Sequence, residues 1–368
     1  MDKKTKNEVS IVLNNIGLYT DKDLVSSLTK LFTISNCSLI GEKDYIKSRN
    51  RYKCIDRKNL TRGKIGVIDL VRCGLISDKK KDTFILKQTS VSSQTINVFK
   101  PSEYNGPNTQ PLIVPINRWV GSDEFTNESI INWILNEIIP DFSVDQLISM
   151  ICDKNGIQIQ EKADMDLSDY INSKKFKPKM LDNMIYQVLN TLDILEKKFN
   201  YIHGDLKTKN VLVFKNGKIA KLADYGKSSI TYNGTRFYCR LEKIVKRGVS
   251  GLLPTSTSTF GKKYKYNLNT IDTNVAMRHR KEIFYLNFDV YTFMVSIALE
   301  KKIFYNYIVG NSKGLEFFLK IWDFLWIDTK TRNKVENRIA NIIADENKNK
   351  QSISASFEVL RGLELRYF

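Results

Sequence analysis

The run His203-Gly204-Asp205-Leu206-Lys207-Thr208-Lys209-Asn210, followed downstream by Asp224-Tyr225-Gly226, contains the residue types of one particular chemistry. An aspartate, a lysine, an asparagine and a second aspartate stand in the order that phosphoryl transfer requires. One carboxylate can take a hydroxyl proton and a lysine can balance charge on the moving phosphoryl group. An asparagine and a carboxylate can hold Mg²⁺. Mg²⁺ prefers oxygen ligands and needs few from the protein when phosphates supply the rest. Asp205 and Asn210 share one short loop. Val211-Leu212-Val213, the turn Asn216-Gly217 and Ile219–Leu222 read as a hairpin that brings Asp224 back beside them.

Holding those groups takes a scaffold, and 368 residues suffice for one large domain or two lobes, each with a core. The hydrophobic fraction, 42%, is ordinary for a globular protein. No apolar run reaches the roughly 18 residues that suggest a membrane span. Met1-Asp2-Lys3-Lys4-Thr5-Lys6 lacks the apolar stretch of a secretory signal, so an intracellular setting is expected. The cysteines at 37, 54, 73, 152 and 239 are dispersed and odd in number, which predicts reduced thiols. Two histidines leave little for a zinc site.

The formal charge is +18, with basic runs at Lys79–Lys81, Lys174–Lys179, Lys262–Lys265 and Arg278–Lys281. Such runs serve as solvated surface or attract acidic proteins, nucleic acid or phosphates. The abundance of Lys, Asn and Ile also fits an AT-rich genome, such as that of a large DNA virus or a parasite.

Residues 1–55 read as a helical extension, with apolar periodicity through Leu24, Leu28 and Leu31–Phe32. Strands are predicted at Gly66–Val71 and Thr83–Lys87. Residues 88–122, with Pro101, Pro107, Pro111 and Pro115, read as a long loop or insertion. A helix is predicted over Asn127–Ile138, and a strand pair around Ile148–Ile159 turning at Asn155-Gly156. The strongest helix is Met180–Lys198. Val290–Leu299 and Leu315–Ile327 read as core helices, and Ser250–Thr270 as an insertion. The expectation is an α+β, bilobal architecture with a cleft between lobes as the nucleotide site. Its small, β-rich lobe spans 56–160 and its larger helical lobe 161–368, with insertions at 88–122 and about 250–285.

These motifs together resemble the eukaryotic protein kinase family over roughly residues 58–300. Tyr186–Leu195, running into Tyr201-Ile202-His203-Gly204-Asp205, resembles the helix that feeds the kinase catalytic loop. The resemblance implies Asp205 as catalytic base, Lys207 as the phosphate-stabilising lysine, and Asn210 and Asp224 as Mg²⁺ ligands. Gly234-Thr235-Arg236-Phe237-Tyr238-Cys239-Arg240-Leu241-Glu242 resembles the segment that closes the kinase activation region. Asp289 resembles the aspartate that ties down the catalytic loop. Leu60–Ile68 resembles a degraded glycine-rich loop, with Gly63, Gly66 and Ile68 near ATP. Phe84-Ile85-Leu86-Lys87 resembles the strand carrying the ATP-binding lysine, with Ile85 under the adenine and Glu128 as the partner of Lys87. Glu161–Ala163 resembles the adenine-binding hinge, and Leu212 is a further nucleotide-binding residue by the same resemblance. Asp166–Tyr170 resembles the first helix of the large lobe.

The implied activity is transfer of the ATP γ-phosphate to Ser or Thr of a protein substrate, with Mg²⁺ as cofactor. Lys207 and Thr235 favour Ser/Thr over Tyr by resemblance. His-Gly-Asp with Asp-Tyr-Gly is nearest the casein kinase 1 group and its vaccinia-related, viral branch. Gly204 stands where many kinases have an arginine that reads a phosphorylated activation segment, so control by that phosphorylation is not expected. Ile85 and Asn132 also depart from the pattern. Two other readings remain: a pseudokinase acting as a scaffold, and a small-molecule phosphotransferase of the aminoglycoside or choline type.

Overall fold

A computed structural model describes residues 3–32, 52–62, 66–75, 82–91, 96–99, 114–152, 155–239, 288–325 and 329–349. Gly63, Glu242 and the segment Ser250–Thr270 lie outside the described residues, as do three of the four basic runs. The chain forms two compact units. One is drawn from Met1–Pro101, Pro115–Ala163 and Asp224–Cys239, the other from Ser102–Val114, Asp164–Ala223 and Arg240–Phe368.

The first unit begins with helices α1 (Lys3–Asn15) and α2 (Asp21–Phe32). Thr20 accepts from the Asp23 N–H at 3.2 Å and its hydroxyl donates to the Asp23 carboxylate at 2.6 Å, a reciprocal cap that starts α2. Leu24, Leu28, Leu31 and Phe32 recur at helical spacing and are all buried. β1 (Tyr52–Arg62), β2 (Gly66–Leu75), β3 (Asp82–Ser90), β6 (Gln146–Cys152) and β7 (Asn155–Glu161) form an antiparallel sheet in the order β1-β2-β3-β7-β6. Its strands alternate, so Val71, Leu86, Ile148, Met150, Ile157 and Ile159 collect in one buried cluster. β1 opens at Tyr52, so strand structure begins before residue 55, where a helical extension was expected.

Three other expectations change here. Cys54 and Cys73 stand opposite each other on β1 and β2 and are joined by a disulfide, where reduced thiols were expected. The pairing is set by strand register, which cysteine spacing alone does not reveal. Asn155-Gly156 lies in β7 instead of forming the turn, because Cys152 already pairs with Asn155. Gly156 is needed there for space: a Cβ would come within 2.5 Å of the Phe125 ring. Within 88–122 the described residues include β4 (Asn97–Phe99) and β5 (Arg118–Ser122), where a loop or insertion was expected.

β4 and β5 join a second sheet, of order β11-β12-β5-β4, with β11 (Ser229–Tyr232) and β12 (Thr235–Cys239). A tight turn links β11 to β12 at Asn233 (φ 46) and Gly234 (φ 70), the positive-φ pair that a two-residue hairpin favours. β12 is buried throughout and pairs parallel with β5. α3 (Glu124–Ile138) starts three residues before the predicted Asn127 because Asp123 caps it, accepting from the Thr126 N–H at 3.0 Å.

In the second unit, β8 (Met165–Asp166), β9 (Val211–Phe214) and β10 (Ile219–Leu222) form a small sheet of order β10-β9-β8. Asp166 caps α4 (Leu167–Asn172), accepting from the Asp169 N–H at 2.8 Å. α5 (Pro178–Phe199) has proline in its first turn and ends at Asn200 in the left-handed conformation, φ 48. Its Leu181, Met184, Ile185, Val188, Leu192 and Leu195 are buried, as the periodicity predicts. Helices α6 (Phe288–Ala298), α7 (Lys301–Ile303, continuing as a wider turn to Val309), α8 (Glu316–Phe324) and α9 (Thr329–Asn349) complete the unit. Among the described residues no helix is long and apolar enough to cross a membrane.

Candidate active site

In the first unit, Lys87 on β3 meets two carboxylates. Its Nζ lies 2.8 and 2.9 Å from the Glu128 oxygens on α3, and 3.5 Å from Asp224 Oδ1. Burial works against the Lys87 ammonium, but Asp224 and Glu128 outweigh it and hold the pKa above the ordinary lysine value. Burial pushes the Glu128 carboxyl up, to about 7, while Lys87 pulls the other way. Glu128 is 4% exposed, so the ammonium is the charge that offsets its burial.

β2 and β7 flank β3 around this pair. Ile68 on β2 faces Lys87 in register, and Gly66 faces Thr89. Ile85 sits two residues before Lys87 on the same strand face and is half-buried. Glu161 closes β7, its carboxylate accepting from the Asp145 N–H at 2.7 Å, and Ala163 comes two residues later, half-buried. Asn132 is fully buried, and its amide donates to the Val144 carbonyl at 3.1 Å, so this polar group in an apolar position is satisfied locally.

Asp224 has φ 63 and ψ 64, a left-handed backbone that costs a non-glycine residue about 1–2 kcal/mol. Residues 225–228 are firmly held. The Asn127 amide nitrogen lies 3.3, 3.0 and 2.9 Å from the carbonyl oxygens of Tyr225, Gly226 and Ser228. The Tyr225 hydroxyl and the Ser143 hydroxyl are 3.0 Å apart. A Cβ on Gly226 would lie 2.5 Å from Glu124 Cγ, so the segment runs closer to α3 than any side chain allows. Sequence reasoning singled out none of Asn127, Ser143 or Glu124. Asn127 precedes Glu128 and reads as an ordinary polar helix residue.

In the second unit, the loop from His203 to Asn210 is anchored by Asp289 near the start of α6. Asp289 accepts from the backbone N–H groups of His203 at 2.6 Å and Gly204 at 2.9 Å. Gly204 adopts φ 77, which only glycine takes at little cost. A His203 ring nitrogen meets the Ala223 carbonyl at 3.0 Å. Thr208 adds bonds to Ser296 and Glu300. On this loop Lys207 Nζ lies 3.3 Å from Asp205 Oδ2. The Asn210 amide nitrogen donates to the Asp205 carbonyl at 2.8 Å, which turns its oxygen the other way. The Ala223 N–H donates to the Asn210 carbonyl at 3.0 Å, tying the residue before Asp224 to the same loop. Leu212 is half-buried on β9, opposite Asp166 and Lys221. Burial and then the charge of Asp289 push the nearby Glu196 carboxyl up to about 7.

One expected site residue is placed differently. Thr235 was read by resemblance as part of the segment that closes the activation region, and as favouring Ser/Thr. It lies in β12, 1% exposed, and its hydroxyl accepts from Arg118 Nε at 2.9 Å. Arg236 beside it is equally buried, donating to Thr231 and Ser229. The Asn233-Gly234 turn makes this stretch the second strand of a hairpin, and the motif likeness did not convey that.

Asn210 in the second unit and Asp224 in the first each carry a side-chain oxygen, the donor type that a hard cation such as Mg²⁺ takes. Among the described residues no group of three or more His, Cys, Asp or Glu is placed to hold a metal ion.

Residues 141–246 match the family model described as a protein kinase domain. The chain is 28% identical over 274 residues to a putative serine/threonine-protein kinase of Acanthamoeba polyphaga mimivirus, covering 51% of this chain and 38% of that protein. It is 35% identical over 94 residues to a dual specificity mitogen-activated protein kinase kinase of Dictyostelium discoideum, covering 23% of this chain and 14% of that protein. The chain therefore matches well under half the length of either relative. With this match and these elements, the fold is the α+β fold of protein kinases.

Proposed function

We propose that this chain is an ATP- and Mg²⁺-dependent protein kinase that phosphorylates serine or threonine. The observation that carries the reading is the Lys87 ammonium, 2.8 Å from Glu128 and 3.5 Å from Asp224. A cation so held is positioned to bind the α- and β-phosphates of a nucleotide. Adenine would rest against Glu161–Ala163, with Ile68, Ile85 and Leu212 as apolar contacts and the backbone of Gly63 and Gly66 near the phosphates. Asp205 would orient the acceptor hydroxyl and take its proton, and Lys207 would offset charge on the transferring phosphoryl group. Asn210 and Asp224 would hold Mg²⁺, which neutralises phosphate charge when bound. Catalysis of this kind is chiefly positioning and electrostatics.

The protein kinase domain match and the serine/threonine kinase named among the relatives support protein over small-molecule acceptors. Lys207 beside Asp205 supports Ser/Thr. Thr235, buried against Arg118, no longer does. A casein kinase 1 or viral affiliation and an intracellular site of action go with this reading as its finer parts. The test is Mg²⁺-dependent transfer of labelled γ-phosphate to a panel of acceptor proteins, amino-alcohols and aminoglycosides. Transfer to Ser/Thr of proteins, lost in Asp205→Ala and Lys87→Met, is the expected result. Transfer only to small molecules overturns the acceptor assignment, and nucleotide binding without transfer makes the chain a scaffold.

A cationic face in the second unit supports an acidic or nucleic-acid partner. Lys174, Lys175 and Lys177 are exposed between α4 and α5, and Lys179 in the first turn of α5. Lys302 lies 4.1 Å over the Phe176 ring within that segment, and Gly314, next to Lys313, packs on Pro178. Among the described residues none of these lysines forms an ion pair.

A further inference from the structure

We propose that Asn127 is a positioning residue that sets Asp224 for the Mg²⁺-nucleotide, coupling the metal ligand to the same helix that holds the nucleotide lysine. This rests on the kinase reading above. Asn127 and Glu128 are adjacent at the start of α3 and reach different parts of the site. Glu128 holds Lys87, while Asn127 donates to the carbonyls of Tyr225, Gly226 and Ser228. Only a donor suits three carbonyl oxygens, so the amide orientation is fixed by chemistry. Asn127 is 1% exposed, so these bonds are made away from bulk solvent.

The geometry explains why such a clamp is placed here. Asp224 holds a left-handed backbone that relaxes unless the next residues are restrained. Asn127 restrains three of the next four residues, at 2.9–3.3 Å. Asp123 caps the first turn of α3, and its carbonyl accepts from the Asn127 N–H at 2.9 Å, so the clamp has a fixed base. With the clamp released, Lys87 and Glu128 stay paired, but the Asp224 carboxylate leaves its metal-binding direction. Nucleotide affinity without metal should then persist, and the gain in affinity from Mg²⁺ should fall.

Calorimetric titration of a non-hydrolysable ATP analogue, with and without Mg²⁺, tests this on the full chain and on Asn127→Ala. The expected result is Mg²⁺-free affinity within about twofold of wild type and a Mg²⁺-induced gain reduced about tenfold or more. Amide hydrogen exchange should also speed up across Tyr225–Ser228 and not across β6 or β7. A merely structural asparagine would lower the melting temperature and leave the Mg²⁺ gain intact, and that result overturns the proposal. Should Asn127→Ala fail to fold, Asn127→Ser, which keeps more volume and one hydroxyl, is read by the same two measurements. A wild-type chain that binds the analogue without any Mg²⁺ gain also overturns the proposal. If wild type shows the gain and Asn127→Ala loses it, yet no phosphate is transferred to any acceptor, the clamp stands and the kinase reading falls. A wild type that binds no nucleotide sinks both.

Discussion

Lys87 Nζ lies 2.8 Å from Glu128 Oε1 and 3.5 Å from Asp224 Oδ1, so one ammonium serves a buried carboxylate and a more exposed one. Lys87→Met removes the positive charge that acts on Glu128, leaving Asp224 and Glu124 to repel it. Breaking a buried pair from one side costs about 3–5 kcal/mol. The burial-raised Glu128 carboxyl, already at about 7, would rise further in this variant. A carboxyl with a raised folded pKa binds a proton more tightly in the native state, so its stability contribution is lost as pH rises through that pKa. Lys87→Met should therefore unfold at lower urea than wild type at pH 8, with the gap narrowing at pH 6. A gap that widens on acidification would contradict the assignment.

Asp289 holds the backbone of the His203–Asn210 loop through two N–H groups, His203 and Gly204, both inside the protein. Hydrogen bonds to a charged acceptor are worth about 1.5–3 kcal/mol. Asp289→Asn keeps the shape and loses the charge, and its amide can turn a donor towards one N–H. The expected loss is about 2 kcal/mol in urea unfolding, with a fall in kcat larger than any rise in the KM for ATP. The variant should also lower the pKa of Glu196, which Asp289 now helps to raise.

Much of this arrangement was legible because it is local. Asp205, Lys207 and Asn210 lie on one short loop, and the β9–β10 hairpin comes from its alternation and its Asn216-Gly217 turn. The contact between Lys87 and Glu128 was expected from the resemblance to the kinase layout. The features that stayed hidden depend on contacts distant in sequence. The Cys54–Cys73 disulfide needs the β1–β2 register. The burial of Thr235 needs β5, far earlier in the chain, as its parallel partner. Asn127 carries no signal in its type or spacing, since its three acceptors are backbone carbonyls about a hundred residues away.

Gly226 is required by packing. Its backbone passes α3 so closely that a Cβ would stand 2.5 Å from Glu124 Cγ and 3.1 Å from Glu124 Oε1. Gly226→Ala should cost about 1–3 kcal/mol, the usual penalty for overpacking a filled site. It should also weaken Mg²⁺-dependent phosphate transfer, because the strain falls two residues after Asp224. Glu124→Ala removes the colliding atoms, so the double variant Gly226→Ala/Glu124→Ala should recover most of the lost stability. Thermal melts of the four proteins in the cycle measure this, and simple additivity of the two single changes would show that the clash is elsewhere.

The lysine face between α4 and α5 makes a prediction separable from catalysis. Lys174, Lys175, Lys177 and Lys179 are exposed and lie away from any carboxylate partner among the described residues, so their field is not locally cancelled. A polyanion bound there releases its counterions, and the affinity then falls steeply with salt. Lys174→Glu/Lys175→Glu/Lys177→Glu reverses three charges on an exposed linker and should leave the fold and peptide phosphorylation intact. Binding to a labelled oligonucleotide or an acidic peptide at about 50 mM salt should drop about tenfold or more, with a shallower dependence on salt concentration. Equal affinity in wild type and triple variant would mean that these lysines only keep the surface solvated.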